Sequence, residues 1–187
     1  QQSNLRNRVA FTLFSTDGDI NNYDYAAFYH YDIAGNADTL LQDYGAAGVL
    51  AQQGNRYKRI TYRYDLISGK VNNVSYQPRL YDPVTKQYIT QPDAFYHQYN
   101  YDAENRLTGV YTSTDELHWE HDAHYQYYKH GPLSRAVIGE NQVQGLDYAY
   151  TLQGWLKGVN GTATEEGRVA RDAYHFNLDY YGIEYTA

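Results

Sequence analysis

Aromatic and polar residues alternate in short stretches along this chain, and turn-forming residues separate the stretches. In residues 99–110, YNYDAENRLTGV, Tyr99 and Tyr101 fall on one face of an extended strand, because successive side chains of a strand point to opposite faces. Asp102 can then accept backbone N–H groups at the start of a turn, and Asn105 tolerates the left-handed conformation that such a turn needs. The alternation resumes after the turn, so the stretch predicts a β-hairpin.

Four other stretches fit the same template, and each has a tyrosine at the second aromatic position, which we call the anchor. The stretches are 29–40, 62–74, 125–136 and 148–159, and the five anchors are Tyr31, Tyr64, Tyr101, Tyr127 and Tyr150. The turn former follows the anchor by four residues, or by five in the longer second turn: Gly35, Gly69, Asn105, Gly131 and Gly154. An apolar residue comes two positions later: Ala37, Val71, Leu107, Leu133 and Leu156. The last two units have Tyr128 and Thr151 where the others have aspartate, so we expect their turns to close differently.

The spacing of the anchors indicates two insertions. The anchors are 33, 37, 26 and 23 residues apart. Removing residues 45–54, a flexible stretch of ten, and residues 79–92, a stretch of fourteen, brings the first two spacings to 23. A period of about 23 residues lies within the range of short structural repeats that stack on their neighbours.

These units resemble the tyrosine-aspartate (YD) repeats of the RHS (rearrangement hot spot) family, which read roughly YxYDxxGRLxxV. Residues 101–110 match that pattern best, and 31–36 come next. Residues 79–90, RLYDPVTKQYIT, are similar to the signature that ends the RHS core, with Lys86 and Gln87 in place of its Gly-Arg. In the family that signature follows the repeats, whereas here it lies between two of them. We therefore interpret it as an inserted or degenerate unit.

The predicted fold class is all-β: tandem antiparallel hairpins form a curved, spiralling sheet that is part of a larger shell. We expect one repeat region over residues 1–187, with an opening hairpin at 9–15 that pairs with the first repeat. A last strand or pair of strands is predicted at 168–185, with Tyr174, Phe176, Leu178 and Tyr180 on one face. Helix should be minor, since no segment has apolar residues at sustained helical spacing.

Composition narrows the possible partners. The chain has 24 Tyr, which can bury large rings while their hydroxyls find hydrogen-bond partners, and these compensate for few aliphatic residues. A net charge of −7 argues against nucleic acid, and no run of residues is hydrophobic enough to insert in a membrane. Without Cys there is no disulfide framework or thiolate site, and the lack of any Met suggests an internal fragment of a larger chain.

The densest group of potential metal ligands is HWEHDAH, residues 118–124. On a regular strand His118, Glu120, Asp122 and His124 would share one face, and neighbours there lie about 7 Å apart. Two of them could share zinc only if the strand bent or a second strand contributed. We therefore favour a solvated outer face and predict no metal site and no cofactor.

No catalytic residues are predicted, because no nucleophile elbow, metalloprotease helix, phosphate loop or dinucleotide fingerprint occurs. Glu165 and Glu166 would point to opposite faces of a strand and are interpreted as loop charges. Some RHS proteins cut themselves after the core with aspartates near a DPxGL-like motif. Here Asp82 and Pro83 lack the rest of that motif, so this activity is not carried over.

The resemblance implies a non-catalytic shell segment of a secreted bacterial RHS or YD-repeat protein that encapsulates a toxin or other passenger domain. Its partners would be flanking repeats of the parent chain and the enclosed passenger. The alternative is a cell-surface adhesin or carbohydrate-binding module, in which Trp119, Trp155 and tyrosines stack on glycans. Aromatic residues at fixed repeat positions favour the first interpretation, since they would form the core of the repeat itself.

Overall fold

The chain forms two compact units built almost entirely from antiparallel strands. The computed structural model describes residues 4–161 and 175–180. The first unit contains residues 1–98 and 113–118, and the second contains 99–112 and 119–187. Among the described residues the one helix is a single turn, α1 (Val49–Gln52), within the first predicted insertion. The predicted all-β class is confirmed, whereas a single repeat region over 1–187 stays a prediction.

Strands in the first unit pair with their neighbours in chain order. They are β1 (Phe11–Phe14), β2 (Tyr25–Tyr31), β3 (Ala37–Asp43), β4 (Tyr57–Tyr64) and β5 (Val71–Tyr76), followed by the first residues of β8 (Phe95–Tyr101). The predicted insertion at 79–92 forms a separate two-stranded sheet from β6 (Leu80–Asp82) and β7 (Gln87–Ile89). The predicted pairing of the opening segment with the first repeat is confirmed, since β1 is antiparallel to β2.

The second unit repeats this plan. Its strands are the last residues of β8, most of β9 (Leu107–Ser113), then β10 (Glu120–Tyr127), β11 (Leu133–Ile138), β12 (Gln144–Tyr150), β13 (Leu156–Val159) and β14 (Phe176–Asn177). Every predicted anchor is the last residue of its strand, and every predicted apolar position begins the return strand. The strand predicted at 168–185 is represented by β14, and most of the rest of that range lies outside the described residues.

All five predicted turns close with the same pair of backbone hydrogen bonds. The N–H after the anchor donates to the carbonyl that precedes the return strand, at 2.8–3.0 Å. The N–H of the turn former donates to the carbonyl of the residue after the anchor, at 2.9–3.2 Å. Each turn former has a positive φ, from 62° at Asn105 to 119° at Gly131. Glycine and asparagine are the residues that adopt this conformation most readily, which explains their recurrence.

The expectation that turns without aspartate close differently is wrong for the backbone and holds only for the side chains. Asp102 accepts the N–H of Arg106 through Oδ1 at 2.8 Å, and Thr151 accepts the N–H of Trp155 through Oγ1 at 3.2 Å. The Tyr128 hydroxyl instead donates to the carbonyl of Tyr148. The turn therefore depends on its left-handed residue more than on the aspartate.

A β-bulge follows the turn in the hairpins β2–β3, β4–β5, β10–β11 and β12–β13, and the sequence analysis did not predict it. In the first of these, Tyr31 faces Ala37 while His30 faces Thr39, which leaves Asp38 as the extra residue. The corresponding extra residues are Asn72, Ser134 and Lys157. Because a bulge increases the local right-handed twist, each hairpin is bent at the same position.

Small side chains dominate the buried positions of the described chain. Ala26, Ala27, Ala123 and Ala136 are each less than 9% exposed, and Tyr96 is the largest side chain that is almost fully buried. Most tyrosines are half-buried, with one edge of the ring still near water. A tyrosine tolerates this position because its ring packs while its hydroxyl finds a polar partner.

Candidate functional site at the joints between hairpins

Neighbouring hairpins meet in one repeated register, which we call the tyrosine joint. In the first joint, Phe28 of β2 pairs with Phe11 of β1. Three residues further along β2, the hydroxyl of Tyr31 donates to the carbonyl of Val9, two residues before Phe11, at 2.9 Å. The tyrosine thus ties its own hairpin to the strand that precedes it.

The same geometry occurs at three further joints: the tyrosine lies three residues after one residue of a cross-strand pair, and the accepting carbonyl lies two residues before the other. Tyr64 donates to the carbonyl of Ala37 at 2.9 Å, Tyr127 to that of Leu107 at 2.7 Å, and Tyr180 to that of Leu156 at 2.9 Å. The paired residues that define these registers are Thr61 with Thr39, His124 with Gly109, and Asn177 with Gly158. The sequence analysis predicted that Tyr180 lies on one face of a last strand, but it did not identify this residue as an anchor. Among the described residues, Tyr150 makes no such bond, and its ring packs edge-on against Tyr128 at 6.4 Å.

The residue just before the accepting carbonyl covers the ring of the tyrosine in three of these joints. The guanidinium of Arg8 lies 5.5 Å from the centre of the Tyr31 ring, and that of Arg106 lies 4.6 Å from the centre of the Tyr127 ring. Trp155 takes this position in the last joint, with its ring centre 5.2 Å from that of Tyr180. A cation or an aromatic ring over a tyrosine face adds attraction to the hydrogen bond.

Asp102 holds Arg106 in place. Nε of Arg106 donates to Oδ2 of Asp102 at 2.7 Å, while the Arg106 N–H donates to Oδ1. Burial acts to raise the pKa of Asp102, but the hydrogen bonds from Arg106 outweigh it and keep the pKa below the ordinary value. The aspartate of the repeat thereby links the turn to the next anchor ring.

Two of the joint tyrosines, Tyr64 and Tyr127, act as hydrogen-bond donors over the whole neutral pH range. Burial, with a smaller contribution from Tyr62, raises the pKa of Tyr64 above its ordinary value of 10.0. Burial also raises the pKa of Tyr127. A protonated phenol beside a backbone carbonyl forms a stable contact and has no nucleophilic character. The geometry therefore supports a structural role.

The signal for these joints was present in the sequence, because all five anchors are tyrosine and none is phenylalanine. Ring packing alone would accept phenylalanine, so a constant hydroxyl indicates a recurring hydrogen-bond acceptor. The acceptor itself lies on the preceding hairpin, about 20 or more residues away, and only the folded register shows it.

The alternation predicted for His118, Glu120, Asp122 and His124 is wrong. The strand β10 begins at Glu120, after His118, and a bulge between His121 and Ala123 interrupts the alternation. The bulge brings the rings of His121 and His124 to 5.8 Å, although a regular strand would separate them on opposite faces. His118 instead pairs with Asp115 through Nδ1 at 2.7 Å. Within residues 4–161 and 175–180, no group of three or more histidines and carboxylates is arranged to hold a metal ion.

Two ion pairs fix the first insertion and the end of the second to the sheet of the first unit. Asp43, only 2% exposed, accepts two hydrogen bonds from Arg56 at 2.6 and 2.9 Å, which closes the loop that contains α1. Lys58, also buried, pairs with Asp93 just before β8. A buried charge is stable only when paired, so these contacts fix where both insertions leave the sheet.

The second insertion projects as a hairpin with exposed tyrosines. Tyr81 and Tyr88 face each other with ring centres 5.4 Å apart. Asp82 caps the turn by accepting the N–H of Val84 at 2.9 Å and the hydroxyl of Thr85 at 2.7 Å. At the base of this hairpin, Arg79 pairs with Glu116 at 2.7 Å. The aspartate of the YDP motif is thus engaged in its own turn.

Comparison with known proteins gives a match at the level of structure. No protein-family profile matches the chain, and no curated protein matches its sequence. The crystal structure of TcdB2-TccC3-Cdc42 is similar over 72% of this chain, with 13% identity and a TM-score of 0.50. The chain has an RHS/YD-repeat fold.

Two further solved structures are similar to this chain. TcdB2-TccC3-TEV is similar over 72% of it, with 15% identity and a TM-score of 0.36. A Tc holotoxin pore from Photorhabdus luminescens is similar over 77%, with 14% identity and a TM-score of 0.25. The chain spans only 6%, 7% and 9% of the three proteins that it resembles. No helix in the described part of the chain is both long enough and apolar enough to span a bilayer.

Proposed function

We propose that this chain is a wall segment of a secreted RHS or YD-repeat protein whose shell encloses a toxin or other passenger domain. The observation that carries the proposal is the tyrosine joint, which recurs with one register at four places in the described chain. A joint that always repeats the same offset lets hairpins be added without changing the geometry. Such an array can grow into a sheet large enough to surround another domain.

The bulge that follows four of the five turns adds to this argument. A flat strip of hairpins could not surround anything, whereas a bulge at the same position in several hairpins bends each of them in the same sense. The role proposed for the chain is architectural and not enzymatic. Its partners are flanking repeats of the parent chain and the passenger, and its location is outside the bacterial cell or at the cell surface.

A second candidate function, a glycan-binding module, would use the most exposed tryptophan. Trp155 is 49% exposed and lies against Tyr180, which is 43% exposed. Both rings belong to a tyrosine joint, since Tyr180 donates to the carbonyl of Leu156. This arrangement favours the wall over the glycan platform. Selective binding of one glycan on an array, abolished by Trp155→Ala, would favour the platform instead.

Limited proteolysis of the parent protein tests the wall. The two joint variants Tyr64→Leu and Tyr127→Leu remove hydroxyls that tie hairpins together, and Tyr125→Leu is a control because its hydroxyl forms no hydrogen bond among the described residues. We expect the passenger to be cut slowly in the parent and in the control, and much faster in the joint variants. Equal cutting of the passenger in the parent and as a separate domain would refute enclosure.

A further inference from the structure

The amino group of Lys58 is buried, whereas a lysine on a sheet usually extends its charged end into water. Lys58 is 6% exposed. Its Nζ donates to Oδ1 of Asn55 at 3.2 Å and pairs with Oδ2 of Asp93. Asn55 lies just before β4, Lys58 lies in β4, and Asp93 lies just before β8. An amine, a carboxamide and a carboxylate therefore meet within the first unit.

One carboxylate oxygen of Asp93 is left over in this group. Oδ2 pairs with Nζ of Lys58, but Oδ1 is buried and no group of the described chain donates a hydrogen bond to it. A buried acceptor that has no donor loses its hydration without compensation, so such an oxygen calls for a role beyond packing. The ion pair with Lys58 alone therefore does not account for the way in which Asp93 is placed.

Tyr76 shares a poorly hydrated space with the Lys58–Asp93 pair. Nζ of Lys58 lies 6.0 Å from the centre of the Tyr76 ring. Burial raises the pKa of Tyr76 above its ordinary value of 10.0; the charge of Lys58 opposes this increase and that of Asp93 adds to it. Low hydration disfavours the charged forms of an amine and of a carboxylate alike. Transfer of a proton from Nζ to Asp93 therefore costs less here than in water, and it produces the neutral amine that can act as a nucleophile.

We propose that Lys58 and Asn55 join in an intramolecular isopeptide bond, which the folded chain forms by itself with Asp93 as the proton relay. Asp93 takes a proton from Nζ, and the neutral amine attacks Cγ of Asn55, the carbon bonded to the Oδ1 that Nζ already contacts. The Nζ–Cγ bond forms and the Cγ–Nδ2 bond breaks. Two protons pass in turn from Nζ through Asp93 to Nδ2, which departs as an ammonium ion. Asp93 ends ionised, as it began, and nothing is oxidised or reduced.

The unpartnered oxygen of Asp93 gains a role in this reaction. Because Oδ2 is engaged with Nζ, Oδ1 is the oxygen that remains to deliver a proton to the leaving amide nitrogen. A carboxyl group in such a position acts as general base toward the amine and then as general acid toward the leaving group. The arrangement thus contains the nucleophile, the electrophile and the proton relay, and it requires no further reagent.

The bond would close a ring over residues 55–58, and this ring contains Arg56. Arg56 donates two hydrogen bonds to the buried Asp43, which closes the loop that contains α1. A covalent ring at the start of β4 would keep Arg56 in place when the loop moves. This inference goes beyond the wall function and does not depend on a passenger.

Tandem mass spectrometry of a tryptic digest of the parent protein tests the bond directly. Trypsin cuts after Arg56 and, where Lys58 is free, also after Lys58. We expect no cut at Lys58 and a branched peptide in which residues 57–59 stay attached to the peptide that ends at Arg56. Its mass should be lower than the sum of the two peptides by one molecule of ammonia.

Three variants of the parent locate the chemistry. Lys58→Arg should abolish the branched peptide, and Asp93→Asn should leave nearly all of the chain unlinked, because a positioned proton relay contributes about a hundredfold or more in rate. Lys70→Arg is the control, since Lys70 is exposed in the turn between β4 and β5, and it should retain the branched peptide.

The digest of the original parent decides the question even if Asp93→Asn fails to fold. Complete release of the free peptide 57–58 would overturn the proposal. So would a peptide that joins Lys58 to Asp93 and is lighter by one molecule of water. Either result would leave the wall proposal intact, since the wall is judged by protection of the passenger from protease.

Discussion

The replacement of Tyr127 by phenylalanine isolates one tyrosine joint. The change removes only the hydroxyl that donates to the carbonyl of Leu107 at 2.7 Å, and it leaves the ring beneath Arg106. A net hydrogen bond contributes about 0.5–1.5 kcal/mol, and a half-buried carbonyl that loses its donor can still reach water. We therefore expect a loss of about 1 kcal/mol in the free energy of unfolding.

That loss is measurable by urea denaturation and by thermal unfolding. For a chain of this size, 1 kcal/mol corresponds to a decrease of about 2–4 °C in Tm. Tyr127→Leu should cost more, by about 0.5–1 kcal/mol, because it also removes the ring that faces the Arg106 guanidinium. Combining Tyr64→Phe and Tyr127→Phe should give a nearly additive loss of about 2 kcal/mol, since these two joints share no residue.

The matched control is Tyr125→Phe on the same strand, whose hydroxyl has no hydrogen-bond partner among the described residues. We expect this variant to unfold within about 0.5 kcal/mol of the original chain, as is usual where no specific contact is lost. If Tyr127→Phe were as stable as Tyr125→Phe, the hydroxyl would contribute nothing. The joint would then be a consequence of strand register rather than a cause of it.

Three further predictions concern the turns, the pH dependence and metal. Gly154→Ala should lower the free energy of unfolding by about 1 kcal/mol in the urea assay, because Gly154 has a φ of 84°, although the space around a potential Cβ is open. Asn105→Gly, at a φ of 62°, should leave that free energy unchanged or raise it slightly. Burial raises the pKa of Tyr64 and Tyr127 above 10.0, so the folded chain holds these protons more tightly than the unfolded chain. The stability that results is fully present below about pH 10 and is lost as the pH rises through the folded-state pKa. Tm should therefore fall between pH 8 and pH 11, and it should fall less steeply in the double variant Tyr64→Phe/Tyr127→Phe. Finally, EDTA should leave Tm unchanged, because we predict no structural metal at His118, Glu120 and His124; a decrease reversed by added zinc would refute this.

Local chemistry made the hairpins predictable from the sequence. The turn formers Gly35, Gly69, Asn105, Gly131 and Gly154 occupy positions of positive φ, where few other residues are tolerated. Two tyrosines at alternate positions favour a strand before each such turn. The predicted anchors and apolar positions therefore coincide with strand ends in every repeat, even though the side chains after Tyr127 and Tyr150 depart from the aspartate of the pattern.

Features that depend on register between strands were not predictable. The extra residue at Asp38 and the bulge next to His121 arise because two strands of different local length are paired, and neither strand shows this alone. A bulge shifts every later side chain to the other face, so the predicted common face of Glu120, Asp122 and His124 failed. The hydroxyl acceptors Ala37 and Leu107 belong to the preceding hairpin, beyond the reach of a local pattern.

The central claim is that these residues form part of a wall around an enclosed domain, and electron cryomicroscopy of the intact parent protein tests it most directly. The account predicts that residues 25–159 lie in a continuous hairpin sheet that borders an interior filled by passenger density. Each joint tyrosine should reach the carbonyl of the preceding hairpin in that map. A parent in which the same residues form a free-standing module, with no enclosed density beside the sheet, would contradict the account.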